Sequence, residues 1–137
     1  MRAAEHDGKR YLLLKQSGTS SLVRDPETGD ERFLPNDELT ITGESPLTVA
    51  AAAVPESTRC LITAVHSERT LGLLVELDTR GPLSVRDVLG SYDLCESDLH
   101  GLFGELRAAG LVTEADVNGE RGYAVTALAS EALADLC

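Results

Sequence analysis

The most regular pattern of apolar and polar residues in this 137-residue chain lies between residues 84 and 126. In its middle, apolar residues recur at i, i+3, i+4 and i+7, a spacing that predicts a helix with one buried face. These residues are Leu99, Leu102, Phe103 and Leu106. Gly110 follows at the position where a residue with left-handed backbone conformation ends a helix. The pattern therefore predicts a helix that stops just before Gly110.

The sequence on either side of this helix predicts a second helix before it and a β-hairpin after it. Ser84 precedes Val85-Arg86-Asp87 and has the side chain of a helix N-cap. Asn118-Gly119 favours a tight hairpin turn because both residues tolerate positive φ. Thr126 can cap a last helix. The order of elements is that of a helix-turn-helix followed by a hairpin wing.

The amino-terminal third has the short apolar runs and turn residues of a β-rich segment. RYLLLKQ, SSLVR and ERFL predict three strands of an antiparallel meander, and ELTIT adds a short fourth strand. The segment Asp25 to Asp30 predicts a turn, because it contains Pro26 and Gly29. A sheet this small must pack on other elements to be stable.

Gly43-Glu44-Ser45-Pro46 marks the predicted boundary, since Ser45 can cap a helix that has Pro46 at its first position. We assign residues 1–43 to a β-meander subdomain, 44–66 to connecting helices and 67–137 to a winged helix-turn-helix domain with a carboxyl-terminal helix. The fold class is α+β. Residues 68–80 are apolar on so much of the helix circumference that we expect burial against two neighbours or against a dimer mate.

Two stretches carry a family resemblance. LCESDLHGLFGELRAAGLV and GYAVTALASEAL resemble the recognition helix and wing end of the winged helix-turn-helix of MarR- and ArsR-type transcription regulators. The resemblance covers the last half of the chain, and the whole chain is similar to short winged-helix proteins of halophilic archaea. It implies binding of double-stranded DNA and, through the terminal helix, a homodimer. The alternative for that helix is packing on the monomer's own core.

The charge of the chain bears directly on this expectation. Twelve basic residues stand against 23 acidic ones, giving a net charge of −11 and an isoelectric point near 4.6. Such a surface repels DNA, whose affinity for proteins depends largely on Lys and Arg contacts to phosphate. However, lysine occurs only at positions 9 and 15, and this arginine-biased, acid-rich composition resembles that of halophilic proteins. At molar salt the Debye length is about 3 Å, so the acidity is no obstacle to DNA binding.

If the domain binds DNA, its second helix enters the major groove and the wing contacts a minor groove or the phosphate backbone. The predicted DNA contacts are Arg86, Ser97, His100, Arg107 and Arg121. The first turn of this helix carries Glu96 and Asp98 and no Lys or Arg, which disfavours DNA. The alternative is a protein-interaction module that uses the amino-terminal sheet or the recognition face. A third hypothesis is a ligand-sensing regulator whose amino-terminal sheet forms the effector pocket, which a pocket between the two halves would support.

No sequence pattern indicates catalysis, a cofactor or a metal site. The chain lacks GxSxG, HExxH, phosphate-binding glycine loops and CxxC pairs. We expect Cys60, Cys95 and Cys137 to be reduced and mostly buried, with Cys95 either a small capping residue or a redox sensor. No apolar run reaches the roughly 20 residues of a membrane helix, and no signal peptide is apparent. The predicted location is cytoplasmic.

Overall fold

The computed structural model describes residues 1 to 137, which form two compact units, Met1–Pro55 and Glu56–Cys137. An antiparallel sheet in the first unit, and helices with a smaller sheet in the second, confirm the α+β class. The sequence places 44–66 in a connecting segment. The contacts instead group residues 44–55 with the first unit and 56–66 with the second.

The first unit is a five-stranded antiparallel sheet of order β4-β3-β2-β1-β5. Its strands are β1 (Arg2–His6), β2 (Lys9–Gln16), β3 (Ser20–Arg24), β4 (Glu31–Pro35) and β5 (Thr40–Thr42). The two edge strands, β4 and β5, are joined by only four residues, which include the 3-10 turn Asn36–Glu38. A flat five-stranded sheet would separate its edges by about 19 Å, more than this link can span. The sheet is therefore strongly curled.

Strand β1 is the strand of the first unit that the sequence interpretation missed. It pairs with β2 from Arg2↔Leu13 to His6↔Lys9, through a two-residue turn at Asp7 and Gly8. Both turn residues have positive φ, 50° and 78°, as the tight hairpin requires. Asp-Gly between two strands is a strong hairpin signal, so the sequence held evidence for this strand. The predicted short strand at ELTIT pairs with β1, which makes β1 a central strand.

Apolar side chains cover both faces of this sheet. One face buries a cluster of Ala4, Tyr11, Leu13, Val23 and Leu34. The other face buries Ala3 and Leu12 against Val49 of helix α1 (Pro46–Ala50). The Ser45 side chain accepts a hydrogen bond from the Leu47 amide, which confirms the predicted N-cap. Because α1 packs on the sheet through Val49, it belongs to the first unit.

A lysine–aspartate pair fastens the β3–β4 loop to β2. Lys9 Nζ donates a 2.6 Å hydrogen bond to Asp25 Oδ2, and the Glu27 amide donates to Asp25 Oδ1 at 2.9 Å. These donors, Lys9 first, hold the pKa of Asp25 below its usual value. An aspartate whose pKa is lowered by folding stabilises the fold at pH values above the pKa that it has in the unfolded chain. This contribution is lost as the pH falls through the pKa of the folded state.

We expect Lys9→Met to raise the titration midpoint of Asp25 toward that of an ordinary aspartate, because the strongest donor to the carboxylate is removed. Carboxyl ¹³C chemical shifts followed by NMR between neutral and acid pH measure this midpoint. Lys15→Met on the same strand is the matched control and should leave it unchanged, since Lys15 forms no ion pair. Equal midpoints in Lys9→Met and the wild type would contradict the assignment.

The second unit contains five helices and a three-stranded sheet. The helices are α2 (Glu56–Ala64), α3 (Glu68–Arg80), α4 (Val85–Ser91), α5 (Glu96–Ala108) and α6 (Ala127–Leu136). The strands are β6 (Leu83–Ser84), β7 (Val112–Val117) and β8 (Glu120–Val125), in the order β6-β8-β7. Helices α3, α4 and α5 followed by the β7–β8 hairpin form the predicted winged helix-turn-helix.

The helix ends lie where the capping residues predict. Ser67, Ser84 and Thr126 each accept a hydrogen bond from the amide three residues ahead. Gly81, which ends α3, and Gly110, which follows α5, have positive φ of 85° and 77°, a region that favours glycine. Asn118 and Gly119 form the hairpin turn of the wing with φ of 55° and 82°.

One continuous core holds the second unit together. Leu74 and Leu77 of α3, Leu99 and Phe103 of α5, and Leu133 of α6 all lie in it. On the other side of α3, Leu71 and Val75 remain 37% exposed, so the monomer does not bury the whole apolar circumference of this helix. The homodimer stays a prediction. None of the six helices has both the length and the apolar character that a membrane span requires.

Candidate nucleic-acid interface

Helix α5 presents two faces of opposite character. Its inward face buries Leu99, Phe103 and Leu106, as the periodicity predicts. Its outward face exposes Ser97, His100, Gly101 and Gly104. A Cβ atom built on either glycine meets no other atom within 4 Å, although Gly101 borders a groove with Arg69 of α3. The outward face is therefore an open surface with small side chains, on which a partner can approach the backbone closely.

The turn that precedes α5 is joined to α3 by two hydrogen bonds of the Tyr92 hydroxyl. The Tyr92 hydroxyl donates to Glu76 Oε1 at 2.8 Å and accepts from Arg80 Nη1 at 2.6 Å. A groove of about 560 Å³ runs beside Tyr92, with Leu73 and Leu94 in its lining. Because both partners of Tyr92 lie on α3, they fix the start of α5 relative to the rest of the helical core.

Glu114 connects α5 to the β7–β8 hairpin. Its Oε1 atom accepts from Arg107 Nη1 of α5 at 3.0 Å and from Arg121 Nη2 of β8 at 3.1 Å. Arg121 is directly opposite Asp116 in the β7–β8 ladder, yet its side chain reaches diagonally to Glu114. One carboxylate thus bridges two of the predicted DNA-contacting arginines, one on α5 and one on the wing.

Arg121 has a further anchor on its own strand. Its Nη2 atom donates to the Tyr123 hydroxyl at 3.1 Å, and its guanidinium lies 5.9 Å from the centre of the Tyr123 ring. The pKa of Arg121 is raised above its usual range, first by the bond to Tyr123 and then by Glu114. Arg121 is therefore a permanently charged side chain, held at the base of the wing turn but 58% exposed.

The remaining predicted contact residues also lie on the surface near acids. Arg86 on α4 is 84% exposed, with Nη1 3.4 Å from Glu120 Oε1 in the wing. His100 Nε2 lies 3.8 Å from Glu96 Oε1, one turn earlier on α5. All five predicted residues are thus exposed. The structure joins Arg107 and Arg121 through Glu114, places Arg86 beside Glu120, and leaves Ser97 and His100 on the open face of α5.

The electrostatic character of this surface is acidic. Between residues 85 and 125 there are three arginines and eight acidic residues. Each of the three arginines lies within 3.4 Å of a glutamate oxygen. These three arginines therefore form no unpaired basic patch, in contrast to the basic residues of most DNA-binding surfaces.

Glu114 and Glu120 are the residues that sequence reasoning missed. The signal available was the alternation of the wing strands, which puts Glu114, Asp116 and Arg121 on one face of the hairpin. The contact from Arg107 had no such signal, because it depends on how α5 packs against β7. These glutamates neutralise the charge of the arginines and so determine how the arginines can bind another anion.

The expectation of mostly buried thiols is wrong. Cys60 is half-buried and its Sγ lies 3.0 Å from the Ala109 carbonyl oxygen, whereas Cys95 and Cys137 are exposed. Cys95 occupies the N-cap position of α5 without a capping hydrogen bond from its side chain. Its Sγ lies 3.4 Å from Ser97 Oγ instead. The N-cap geometry turns this side chain outward, away from the apolar face of the helix.

A family model matches the chain over residues 1–137. The chain belongs to the family of unknown function DUF7346. The match covers both the sheet unit and the helical unit. No curated protein and no solved structure matches the chain.

Proposed function

We propose that this DUF7346 protein is a DNA-binding transcription regulator that acts in the cytoplasm. The observation that carries the proposal is the open, small-residue face of α5 beside a wing that carries Arg121. In a winged helix-turn-helix, that face lies in the major groove. The sequence resemblance to MarR- and ArsR-type regulators in the same segment supports this assignment.

The dimensions of the elements suit this function. Helix α5 has 13 residues, which corresponds to a length of about 20 Å, and the major groove is about 12 Å wide. Ser97 and His100 lie in its first two turns, where base edges are within reach of a recognition helix. Gly101 and Gly104 let the helix backbone approach the groove floor. In this arrangement Arg121 contacts a minor groove or the phosphates.

The acidity of the surface is compatible with DNA binding where salt is concentrated. The charge density of the duplex is screened over about 3 Å at 1 M ionic strength, against about 10 Å at 0.1 M. Acidic residues without a basic partner, such as Asp98 and Asp116, then lower the affinity for DNA only slightly. The proposed host is accordingly a halophile, consistent with the bias of the chain toward acidic residues and against lysine.

The same acidity favours a second candidate function, a protein-interaction module. The eight acidic residues between positions 85 and 125, three of them on α5, are complementary to a basic protein surface. In that case the outward face of α5 contacts a protein and no DNA-bound state exists. The two candidates make opposite predictions for the enrichment of DNA sequences.

The test begins with selection of bound duplexes from a random DNA pool by the full chain in about 1 M KCl, where the acidic surface is screened. We expect an enriched sequence. Arg121→Ala and His100→Ala should each weaken binding to it by about fivefold or more, since a lost base or phosphate contact is worth at least about 1 kcal/mol. Fluorescence anisotropy with the labelled duplex measures these affinities.

Lys15→Ala is the matched control, because it removes one positive charge from the first unit and should leave the affinity unchanged. Absence of any enriched sequence from a folded protein would contradict DNA binding. Crosslinking of the α5 face to a basic protein in cell extract would then support the second candidate.

A further inference from the structure

The three arginines of the DNA-binding surface already have anionic partners. Arg107 and Arg121 share one oxygen of Glu114, and Arg86 lies beside Glu120. Both glutamates are partly exposed, at 46% and 45% of their side-chain surface. The pairs are therefore accessible to solvent ions and to a docking polyanion, and they are not locked inside the fold.

A phosphate and a carboxylate use the same donors of a guanidinium. Arginine offers five N–H groups in a planar fork, and both anions bind this fork most strongly in a bidentate manner. Glu114 occupies donors on two arginines at once. A DNA phosphate that takes these donors displaces Glu114, and one that uses the remaining N–H groups of the arginines lies close to it, so in either case the carboxylate is left near the negative charge of the backbone.

We propose that Glu114 and Glu120 compete with DNA phosphates for the three arginines, so that DNA binding takes up cations at these carboxylates while it releases cations from the DNA. The inference rests on the proposed DNA-binding function and adds its regulation by salt. The cation is a monovalent ion from the solvent, which neutralises the freed carboxylate.

The consequence is a weak dependence of affinity on salt. Three phosphate contacts alone give a slope of log K against log[salt] of about −2.7, because each contact contributes about −0.9. Each freed glutamate that takes up one cation makes this slope less negative by about one unit. The wild-type protein thus loses little affinity between dilute and concentrated salt, whereas a protein with uncontested arginines loses much more.

The test compares the wild type with Glu114→Gln, using a labelled mixed-sequence duplex and KCl from about 0.1 M to about 1 M. Glutamine keeps the shape of the side chain but leaves no charge to compete or to take up a cation. We expect the slope to become steeper by about one unit. The ratio of the two dissociation constants should accordingly change about tenfold across the range, with Glu114→Gln the tighter binder at low salt.

Glu131→Gln is the matched control, since Glu131 is exposed on α6, forms no ion pair and carries the same charge. Its slope should equal that of the wild type. Circular dichroism at each salt concentration checks that every protein is folded, and Glu120→Gln replaces Glu114→Gln if the latter is not.

Equal slopes for Glu114→Gln, Glu131→Gln and the wild type, with binding by all three, would overturn the competition and leave DNA binding intact. An equally steeper slope for Glu114→Gln and Glu131→Gln would also overturn the competition, since net charge alone would then determine the dependence of affinity on salt. Binding by none of the proteins at any salt concentration would overturn the DNA-binding function itself, and the competition with it.

Discussion

Replacing Phe103 by alanine is expected to lower the free energy of unfolding of the second unit by about 3–5 kcal/mol. Phe103 is 1% exposed and its ring stacks on that of Tyr123, with centroids 4.0 Å apart and planes 10° from parallel. The substitution removes the largest fully buried side chain of this unit and also the stacking partner of the wing. Since domains are commonly stable by only about 5–15 kcal/mol, this loss is a large share of the total.

Urea unfolding followed by circular dichroism in constant high KCl measures this change; urea is used because guanidinium chloride would alter the ionic strength. Phe33→Ala is the matched control, as Phe33 is 60% exposed on β4. We expect it to change the free energy of unfolding by about 0.5 kcal/mol or less. A loss below about 1 kcal/mol for Phe103→Ala would show that this core is not packed as described.

Replacing Gly122 by alanine is expected to destabilise the second unit by about 2–3 kcal/mol, although it adds only one methyl group. A Cβ atom at this position would overlap the carbonyl oxygen of Leu83 and would lie 2.7 Å from Val117 Cγ2. Leu83 belongs to β6, which pairs with β8 through Ser84↔Gly122. The backbone oxygen cannot turn aside as a side chain can, so β6 must move away from β8.

Gly104→Ala is also a glycine-to-alanine substitution, but we expect it to raise the free energy of unfolding. Gly104 is exposed within α5 and a Cβ atom there meets nothing within 4 Å. Alanine in a helix interior is favoured over glycine by about 0.5–1 kcal/mol, so this variant should be the more stable one. Thermal unfolding of both variants against the wild type gives the comparison. An unchanged melting temperature for Gly122→Ala would refute the close packing of β6 on β8.

The local elements of the second unit were predictable because their signals are local. Ser67, Ser84 and Thr126 cap helices through side chains within three residues of their targets, and Asn118-Gly119 favours its turn by intrinsic backbone preference. The periodicity of α5 likewise predicted which of its faces is buried. The missed strand β1 had a local signal too, in Asp7-Gly8. Its role as a central strand had none, because its second partner, β5, lies more than thirty residues away.

The exposure of the predicted contact residues followed from the same periodicity, but their electrostatic state did not. Arg107 and Glu114 are seven residues apart on different elements, and Arg86 and Glu120 are separated by more than thirty residues. No sequence spacing specifies such pairs, since they depend on how a helix and a hairpin pack. Gly122 is a similar case, because only the approach of β6 shows why a side chain is excluded there.

The sequence by itself determined where helices and turns begin and end, which face of α5 is buried, and that the chain is strongly acidic. These properties depend on side chains within one or two turns of each other, or on composition alone. Only the tertiary structure decided that the sheet of the first unit curls, that α1 belongs to it, and that Arg86, Arg107 and Arg121 each have a glutamate partner. Those outcomes depend on contacts between distant residues, which form only when burial of the two cores brings the elements together.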